Sequence, residues 1–392
     1  MIGVVNRLEA PVTTPAGVAV LGHILTHGPI ARIDVAKAIG LSQAAVTKAV
    51  IPLMDGGYVV EIAVDRSDAG VGRPVSPLVI SATRAYAIGV KVTSTEAIGV
   101  ITDLQARILA TVHLPLGSTD VDEVVSAIET VVGRLFEAHP VERTRVAGVG
   151  VSVSGDVNPR SGVIRHSPHM GWRDVDLAAL LDTRLGLPVL VENDVRALTI
   201  AEHWFGLGID ASSFAVVTIG TGVGCGIFVN GDVIAGAYGV SGEIGHLPLA
   251  GSNLICTCGR RGCVETVASS GAILERIRVL TGIAVDMDAA VELAHSGDES
   301  ARTAFAEAGE VIGSALAAMV NLVGPELVVI AGEGVTDYDL YGTYIQKAFS
   351  EHAFGAAAEC VLETRSHSFD NWARGSAAAV IRGFVRSGLA GA

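Results

Sequence analysis

VSGEIGHLPLAGSNLICTCGRRGCVETV, residues 240–267, is the most informative segment of this sequence, and we call it the cysteine loop. It is rich in glycine and has neither helical nor strand periodicity. A loop of this length inside a compact domain is usually functional. It contains three of the chain's five cysteines, one histidine and two acids. These residues are Glu243, His246, Cys256, Cys258, Cys263 and Glu265.

The cysteine spacing indicates a metal site. The thiols follow a C-x-C-x4-C pattern, and His246 lies ten positions before the first of them. Zinc prefers thiolate and imidazole, and four protein ligands in a closed tetrahedron are typical of structural sites. We therefore predict a structural Zn²⁺ held by His246, Cys256, Cys258 and Cys263. The alternative is three free thiols in a loop, and Cys225 and Cys360 are expected to be small buried residues.

Length and composition limit the class of protein. The chain has 392 residues, half of them hydrophobic, which is enough for two or three domains. No apolar run reaches the roughly 18 uncharged residues of a membrane span, and the N-terminus lacks the pattern of a signal peptide. Five cysteines, three of them clustered, argue against a disulfide framework. We therefore expect a cytoplasmic protein that does not associate with membranes.

The charge of the chain is distributed unevenly. The formal net charge is −14, but residues 1–80 hold six basic and six acidic side chains, so this segment has no net charge. All of the excess negative charge lies in the remaining residues. A neutral segment attached to an acidic body fits a polyanionic partner that the body itself would repel.

The N-terminal segment has the pattern of a winged helix-turn-helix. Helical periodicity covers about residues 15–26, 32–38 and 42–54, and a short glycine-bearing turn joins the last two helices. The third helix is expected in a major groove of operator DNA, with an inward stripe of Val46, Val50 and Leu53. The outward residues that would meet the DNA are Ser42, Gln43, Ala44, Thr47 and Lys48.

Two predicted strands, at 58–62 and 76–80, would form the wing. Arg66 and Arg73 lie in the turn-rich segment between them and would contact phosphate or the minor groove. The alternative is a helical interaction or dimerisation domain, because small three-helix units are common. The order of three helices and a hairpin favours a DNA-binding head, residues 1–80.

The rest of the chain is predicted to be α/β. A β-β-β-α-β order starts near residue 84 and recurs from residue 214. This repetition is typical of a two-lobed actin-like (ribonuclease-H-like) fold of ATPases and sugar kinases, with ligands between the lobes. We place the first lobe at 84–195, completed by a C-terminal helix at 371–388. The second lobe is placed at 196–370 and includes the cysteine loop.

Four motifs give this body a specific resemblance. They are Glu192-Asn193-Asp194, GTGVGCG at 220–226, GEIGH at 242–246 and CTCGRRGCVE at 256–265. With them, the chain from about residue 84 onward resembles the ROK family of repressors and sugar kinases. A winged helix-turn-helix in front of that body is the arrangement of the family's transcriptional repressors.

The resemblance implies a sugar site. Asn193, Asp194, Glu243, His246 and Glu265 match the positions at which ROK proteins hold the sugar, and carboxylates and amides suit a ring of hydroxyls. Gly155 lies in a turn that resembles one lining the same pocket, and His169 replaces an asparagine that contacts sugar hydroxyls. Without the resemblance, Glu192 and Asp194 would be acids at a helix N-terminus, and Glu265 a surface acid.

The resemblance also bears on catalysis. Asp194 matches the base of ROK kinases, and the glycine loop, residues 220–226, matches their second phosphate loop. The first phosphate loop, Asp-x-Gly-Gly-Thr in the kinases, is Lys91-Val92-Thr93-Ser94-Thr95 here. The carboxylate that orients magnesium in the kinases is therefore missing. We expect no efficient catalysis and regard Asp194 as a vestigial base.

Together these features predict a sugar-responsive DNA-binding regulator, a repressor of carbohydrate-metabolism genes that acts as a homodimer or a dimer of dimers. Two alternatives stay open at this point. One is an ATP-dependent sugar kinase with an appended DNA-binding head. The other is a regulator that answers to a protein partner through the surface of its body.

Overall fold

The structure, a computed structural model, describes residues 8–9, 11–62, 76–251 and 253–386. The chain divides into two compact units. The first unit comprises Met1–Ile209 and Phe369–Ala392, and the second comprises Asp210–Ser368.

The head begins the first unit as a winged helix-turn-helix. The inward stripe predicted for the third helix is confirmed, because Val46, Val50 and Leu53 are fully buried. The two wing strands pair in antiparallel register. The wing tip that holds Arg66 and Arg73 lies outside the described residues. The elements of the head are α1 (Pro15–His27), α2 (Arg32–Ala38), α3 (Gln43–Asp55), β1 (Val59–Glu61) and β2 (Leu78–Ile80).

The body of the first unit is built on a five-stranded sheet. A small three-stranded sheet is formed by the residues between the fourth and fifth strands of that sheet in chain order. Apolar side chains of the α4 and α5 helices pack on the strands of the larger sheet. The elements in chain order are β3 (Tyr86–Val92), β4 (Glu96–Asp103), β5 (Ile108–Pro115), α4 (Val121–Ala138), β6 (Val146–Val153), β7 (Asp156–Val157), β8 (Val163–Ser167), β9 (Trp172–Asp176), α5 (Leu177–Leu185), β10 (Val189–Asn193) and α6 (Asp194–Phe205).

The second unit has its own five-stranded sheet and several helices. Its elements are β11 (Ser213–Ile219), β12 (Val223–Val229), β13 (Asp232–Val233), α7 (Glu265–Ala268), α8 (Ser270–Thr281), α9 (Met287–Ser296), α10 (Glu299–Val323), β14 (Leu327–Ala331), α11 (Gly342–His352) and β15 (Val361–Thr364).

The two large sheets share one topology. The spatial orders are β5-β4-β3-β6-β10 and β13-β12-β11-β14-β15, which is third, second, first, fourth, fifth in both units. In each sheet the first three strands are antiparallel and the last two run parallel to the first. The repetition predicted from the sequence is therefore confirmed.

Among the described helices, α10 alone is long and apolar enough to cross a membrane by length and composition. Its Phe305, Ile312 and Leu316 side chains are buried in the core of the second unit. This burial is what a core helix of a globular domain requires.

A last helix, α12 (Phe369–Arg386), returns to the first unit and packs on β3, β6 and α6. Ser376 Oγ donates to Ser152 Oγ at 2.8 Å in this interface. The α6 helix packs on α12, and the first unit extends to Ile209. The division into three domains stays a prediction.

The head is attached to the body of the first unit through a small aromatic contact. Arg84 Nε donates to the Gly56 carbonyl oxygen at 2.7 Å, and its guanidinium lies 4.8 Å from the centroid of the Tyr58 ring. Tyr58, at the foot of the wing, lies 6.1 Å from the Phe384 ring of α12. The helix that covers the body's sheet therefore also touches the head.

Candidate functional site

The α3 helix presents the predicted DNA-contacting face to solvent. Ser42 caps the helix, because its hydroxyl accepts the Ala45 N–H at 3.2 Å. The five predicted contact residues are exposed, while the opposite stripe is buried. An exposed first turn on a helix held by its apolar side is the geometry that places side chains against base edges. The exposed residues are Ser42, Gln43, Ala44, Thr47 and Lys48.

A buried ion pair forms the centre of the predicted sugar residues in the first unit. Lys91 Nζ, on β3, donates to Asp194 Oδ2 at the start of α6. Only 5% of Lys91 and 6% of Asp194 is exposed. Ser154 Oγ donates to the same carboxylate oxygen at 2.6 Å, and the Val195 N–H donates to Oδ1 at 2.9 Å. Both oxygens of Asp194 therefore have partners from the chain itself.

The surroundings keep this carboxylate ionised. Burial raises the pKa of Asp194, but the Lys91 charge and the hydrogen bonds from Lys91, Ser154 and Val195 outweigh it. The pKa of Asp194 consequently lies below its ordinary value of 3.8. The Lys91 ammonium is itself 5.4 Å from the centroid of the Trp372 ring of α12. A general base must reach the proton that it removes, and here Oδ2 is occupied by an ammonium and a hydroxyl.

Asn193 and Gly155 are brought together beside this pair. Asn193 Oδ1 caps α6 by accepting the Arg196 N–H at 3.1 Å, and its Nδ2 donates to the Gly155 carbonyl oxygen at 3.1 Å. Gly155 has φ +124°, and a Cβ there would lie 2.4 Å from the His166 carbonyl oxygen. Only glycine fits this turn. His169 is exposed in the turn that follows β8.

Glu192 has a different environment from Asp194. It is 5% exposed, and its Oε1 lies 3.2 Å from Arg196 Nε one helical turn later. Burial raises the pKa of Glu192, and the nearby Arg196 charge lowers it without offsetting the effect of burial. Glu192, near the end of β10, is thus paired with a side chain of α6.

The predicted metal ligands come together in the second unit. The ligand atoms of His246, Cys256, Cys258 and Cys263 all lie within 4.8 Å of one another. His246 Nδ1 is 3.5 Å from Cys256 Sγ, and Cys258 Sγ is 3.8 Å from Cys263 Sγ. A tetrahedral zinc ion separates two thiolate sulfurs by about 3.8 Å and a sulfur from an imidazole nitrogen by about 3.5 Å. These four residues could therefore hold a metal ion.

The thiols differ in acidity. Burial raises the pKa of Cys258, but hydrogen bonds from Arg260, Cys256 and Cys263 outweigh it and lower that pKa to about 6. Burial, followed by the hydrogen bond with Cys258, raises the pKa of Cys263 to about 12. All five cysteines carry free thiols. Metal binding by such a cluster releases the thiol protons, because the thiolate is the ligand.

The remaining predicted sugar residues, Glu243 and Glu265, lie near the predicted metal ligand His246 and near the glycine loop. His246 turns its other ring nitrogen, Nε2, toward Glu243 Oε2 at 3.8 Å. Glu265 begins α7, and its Oε2 lies 3.4 Å from where a Gly222 Cβ would be and 3.3 Å from where a Gly245 Cβ would be. Glu243 is exposed and Glu265 is half-buried. One ring nitrogen of His246 thus faces the thiols and the other faces an acid.

Sequence reasoning did not identify Ser154 as a partner of Asp194. It treated Lys91 as the residue that replaces the magnesium-orienting carboxylate of the kinases. One feature could have revealed the pair. A lysine in a strand that is buried on both faces must find a counter-charge, and Asp194 follows the parallel strand β10 of the same sheet. The glycine loop was identified from the sequence, but its contact with Glu333 was not.

Comparisons with known proteins place this chain among related sequences. The model described as "ROK family" matches residues 87–382. The DNA-binding transcriptional dual regulator NagC of Escherichia coli K12 is 31% identical over 330 residues, which covers 82% of this chain and 80% of NagC. The xylose repressor of Bacillus spizizenii is 27% identical over 334 residues, which covers 85% and 86% of the two chains.

Two solved structures are also similar. A ROK family transcriptional regulator, homologous to the E. coli Mlc protein, has a TM-score of 0.80 and 26% identity over 95% of this chain and 96% of its own. A ROK family glucokinase from Streptomyces griseus, solved with glucose and AMPPNP, has a TM-score of 0.66 and 27% identity over 75% and 98%. With the shared sheet topology, they confirm the predicted α/β fold, a winged helix-turn-helix followed by a two-lobed actin-like body.

Proposed function

The chain belongs to the ROK family, and we propose that it is a sugar-responsive repressor of carbohydrate-metabolism genes that works in the cytoplasm. The observation that carries this proposal is the share of this chain that aligns with each solved structure. The ROK regulator aligns with 95% of this chain, whereas the glucokinase, matched over 98% of its own length, aligns with only 75%. The family model begins at residue 87, behind the head. A DNA-binding head distinguishes a regulator from a kinase.

The head supplies the operator contacts in this proposal. Gln43 is suited to pair with adenine, Thr47 and Ala44 to touch a thymine methyl, and Lys48 to bind guanine or phosphate. Arg66 and Arg73 at the wing would hold the backbone. A helix-turn-helix normally reads two half-sites through a two-fold axis. We therefore propose a homodimer, or a dimer of dimers, on a palindromic operator.

The body supplies the sugar site. We propose, as the resemblance to ROK proteins implies, that the sugar-binding residues are Gly155, His169, Asn193, Asp194, Glu243, His246 and Glu265. Carboxylate and amide groups satisfy hydroxyls that both donate and accept, so such a site rejects analogues that lack a hydroxyl. The hydrogen bonds from Ser154 to Asp194 and from Asn193 to the Gly155 carbonyl oxygen support this assignment, because they fix the polar groups before the ligand arrives.

We further propose that His246, Cys256, Cys258 and Cys263 hold a structural zinc ion. The ion would cross-link the cysteine loop, which the described structure holds with little helix and no strand of its own. The near-tetrahedral spacing supports this ligand set. With Nδ1 of His246 facing the thiols, Nε2 is left for Glu243 or a sugar hydroxyl.

The proposal includes loss of kinase activity. Phosphoryl transfer needs a base on the attacking hydroxyl and cations on the phosphates. Asp194 is engaged by Lys91 and Ser154, and Lys91 stands where the kinases carry their magnesium carboxylate. The competing function is an ATP-dependent sugar kinase, which the retained Asp194 and the similarity to a glucokinase favour.

Footprinting of upstream DNA with the full-length protein, with and without a panel of hexoses, pentoses and their phosphates, tests the proposal. We expect a protected palindrome whose occupancy changes with one sugar. Absence of protection, or protection that no sugar alters, would remove the regulator from consideration. A coupled ATPase assay with the same sugars tests the kinase, and turnover lost in Asp194→Asn would favour that function.

A further inference from the structure

The glycine loop of the second unit is occupied by an acid from the same unit. Thr221, at the loop's start, donates its N–H and its hydroxyl to Glu333 Oε1 at 2.8 Å and 3.0 Å. Glu333 follows β14, which is the parallel neighbour of β11, the strand that leads into the loop. Both segments therefore lie at the carboxyl ends of adjacent parallel strands, where α/β folds bind their ligands.

The fit between the loop and this side chain is close. A Cβ on Gly220 would lie 2.2 Å from Glu333 Cδ and Oε1 and 2.6 Å from Oε2. The carboxylate thus rests on bare backbone at the one position where a side chain would exclude it. Glycine loops of this kind bind anions because successive backbone amides face the oxygen atoms of the ligand. Here a carboxylate from the chain takes the place of the anion.

We propose that Glu333 is a specificity-determining residue that closes the glycine loop to phosphate groups. The inference rests on the proposed function, since the resemblance to ROK proteins identifies the loop as a phosphate loop. A polyphosphate reaching these amides would have to displace Glu333 from Thr221 or lie against its negative charge. Juxtaposed like charges oppose binding strongly. In this proposal the loop rejects nucleotides through Glu333, independently of Lys91.

The test is calorimetric titration of full-length wild type, Glu333→Gln and Glu333→Ala with pyrophosphate, and then with magnesium ATP. Gln keeps the volume and a hydrogen-bonding oxygen for Thr221 but removes the charge, so the loop should stay folded. We expect at least about a tenfold gain in pyrophosphate affinity for Gln. The gain should be larger for Ala, which also frees the space beside Gly220.

Glu326→Gln is the matched control. Glu326 is exposed, accepts a hydrogen bond from the Ser212 hydroxyl, and lies just before β14, at the opposite end of the strand from Glu333. Its substitution makes the same change in net charge and should leave pyrophosphate affinity unchanged. An equal gain in Glu326→Gln would overturn the proposal, because it would show a general charge effect.

Other outcomes are equally decisive. Equal pyrophosphate affinity in wild type and both Glu333 variants would overturn the inference. Operator binding and its response to sugar, measured on the same preparations, test the proposed function separately. If that response persists while the Glu333 variants gain no affinity, only the role of Glu333 fails. If affinity is gained but no sugar alters operator binding, the inference stands and the proposed function fails.

Discussion

At the residue scale, the buried ion pair of Lys91 and Asp194 is the most informative contact. Two opposite charges are held in a nearly dry environment, where each depends on the other. Breaking such a pair by removing one partner typically costs about 3–5 kcal/mol, because the remaining charge is buried without compensation. Lys91 is therefore a structural partner of Asp194, in addition to its place in the stretch that resembles the first phosphate loop of the kinases.

Replacing Lys91 with Met should lower the free energy of unfolding at neutral pH by about 3–5 kcal/mol. In wild type the pKa of Asp194 is lowered, so its stabilising contribution is present above its ordinary pKa of 3.8 and is lost as the pH falls through the folded-state value. In Lys91→Met, burial is no longer opposed by the ammonium and raises that pKa. The loss of stability should therefore shrink between neutral pH and about pH 5.

Urea denaturation at the two pH values measures this effect. Lys347→Met is the control, since Lys347 forms an exposed pair with Glu351 at 4.0 Å and should change stability little. The double variant Lys91→Met with Asp194→Asn should recover much of the lost stability. A deficit in Lys91→Met that is the same at both pH values would argue against an ionised, buried Asp194.

Prediction from sequence reached its limit at this scale. The motifs located Asp194, Asn193 and Lys91, because each belongs to a short pattern with a chemical reason. The pairing of Lys91 with Asp194 spans 103 positions, and it depends on β3, β6 and β10 lying side by side. Likewise, the contact of Glu333 with Thr221 spans 112 positions and arises from the pairing of β14 with β11.

At the scale of elements, the proposed metal site should stabilise the conformation of the cysteine loop. For the proposed zinc site, we expect Cys258→Ser to lower the metal content and the thermal stability of the protein. It should also reduce the response to sugar, because the loop also carries Glu243 and Glu265. Metal content by atomic emission and unfolding by calorimetry measure the first two effects. Cys360→Ser is the control, since Cys360 is also half-buried but lies outside the ligand group.

The operator affinity of Cys258→Ser should be unchanged in the absence of sugar, because the head belongs to the other unit. A full response to sugar in metal-free protein would separate the metal from sensing. Retention of stoichiometric metal by Cys258→Ser would remove this residue from the ligand set.

The α3 helix provides a second test at this scale. Gln43→Ala should cost about 1–3 kcal/mol of operator binding and relax the base preference at one position. Lys48→Ala should weaken operator and random DNA alike and reduce the salt dependence of binding by about one ion. Arg73, outside the described residues, is expected to behave like Lys48. Competition binding against a library of half-site variants measures both effects, and the reverse assignment would show that α3 docks differently.

Long, periodic elements were predictable, and short polar ones were not. The helices α1, α2 and α3 begin and end within one residue of their predicted bounds, because apolar periodicity and turn residues mark both ends. The sheet of β7, β8 and β9 was missed. Its strands have only two to five residues, and one reads Trp172–Asp176 with three charged side chains. Such strands exist through tertiary pairing, which local pattern does not encode.

For the whole molecule, a sugar-responsive repressor requires that sugar binding in the body changes DNA binding by the head. Within the first unit, α12 contacts Lys91, the partner of Asp194, through Trp372, and it contacts the head through Phe384 beside Tyr58. We expect sugar to change operator affinity only by binding two states of the protein differently. Phe384→Ala should therefore weaken the effect of sugar on operator affinity more than it changes sugar affinity itself. Parallel titrations of sugar and operator check this, and an unchanged coupling would exclude the α12 route.

The two-unit body was predictable at this scale because the same strand order occurs twice. A C-terminal helix was also predicted, at 371–388. Its packing on α6 joins segments that are far apart in the sequence, which local pattern does not encode.

The most direct test of the central claim is fluorescence anisotropy of labelled operator with full-length protein, titrated with sugar in the presence of magnesium ATP. Sugar phosphate is assayed in the same sample. We predict that one sugar shifts the operator affinity by about five-fold or more, that ATP adds nothing to the shift, and that no sugar phosphate forms. Accumulation of sugar phosphate while every sugar leaves operator affinity unchanged would contradict the account and identify the protein as a kinase.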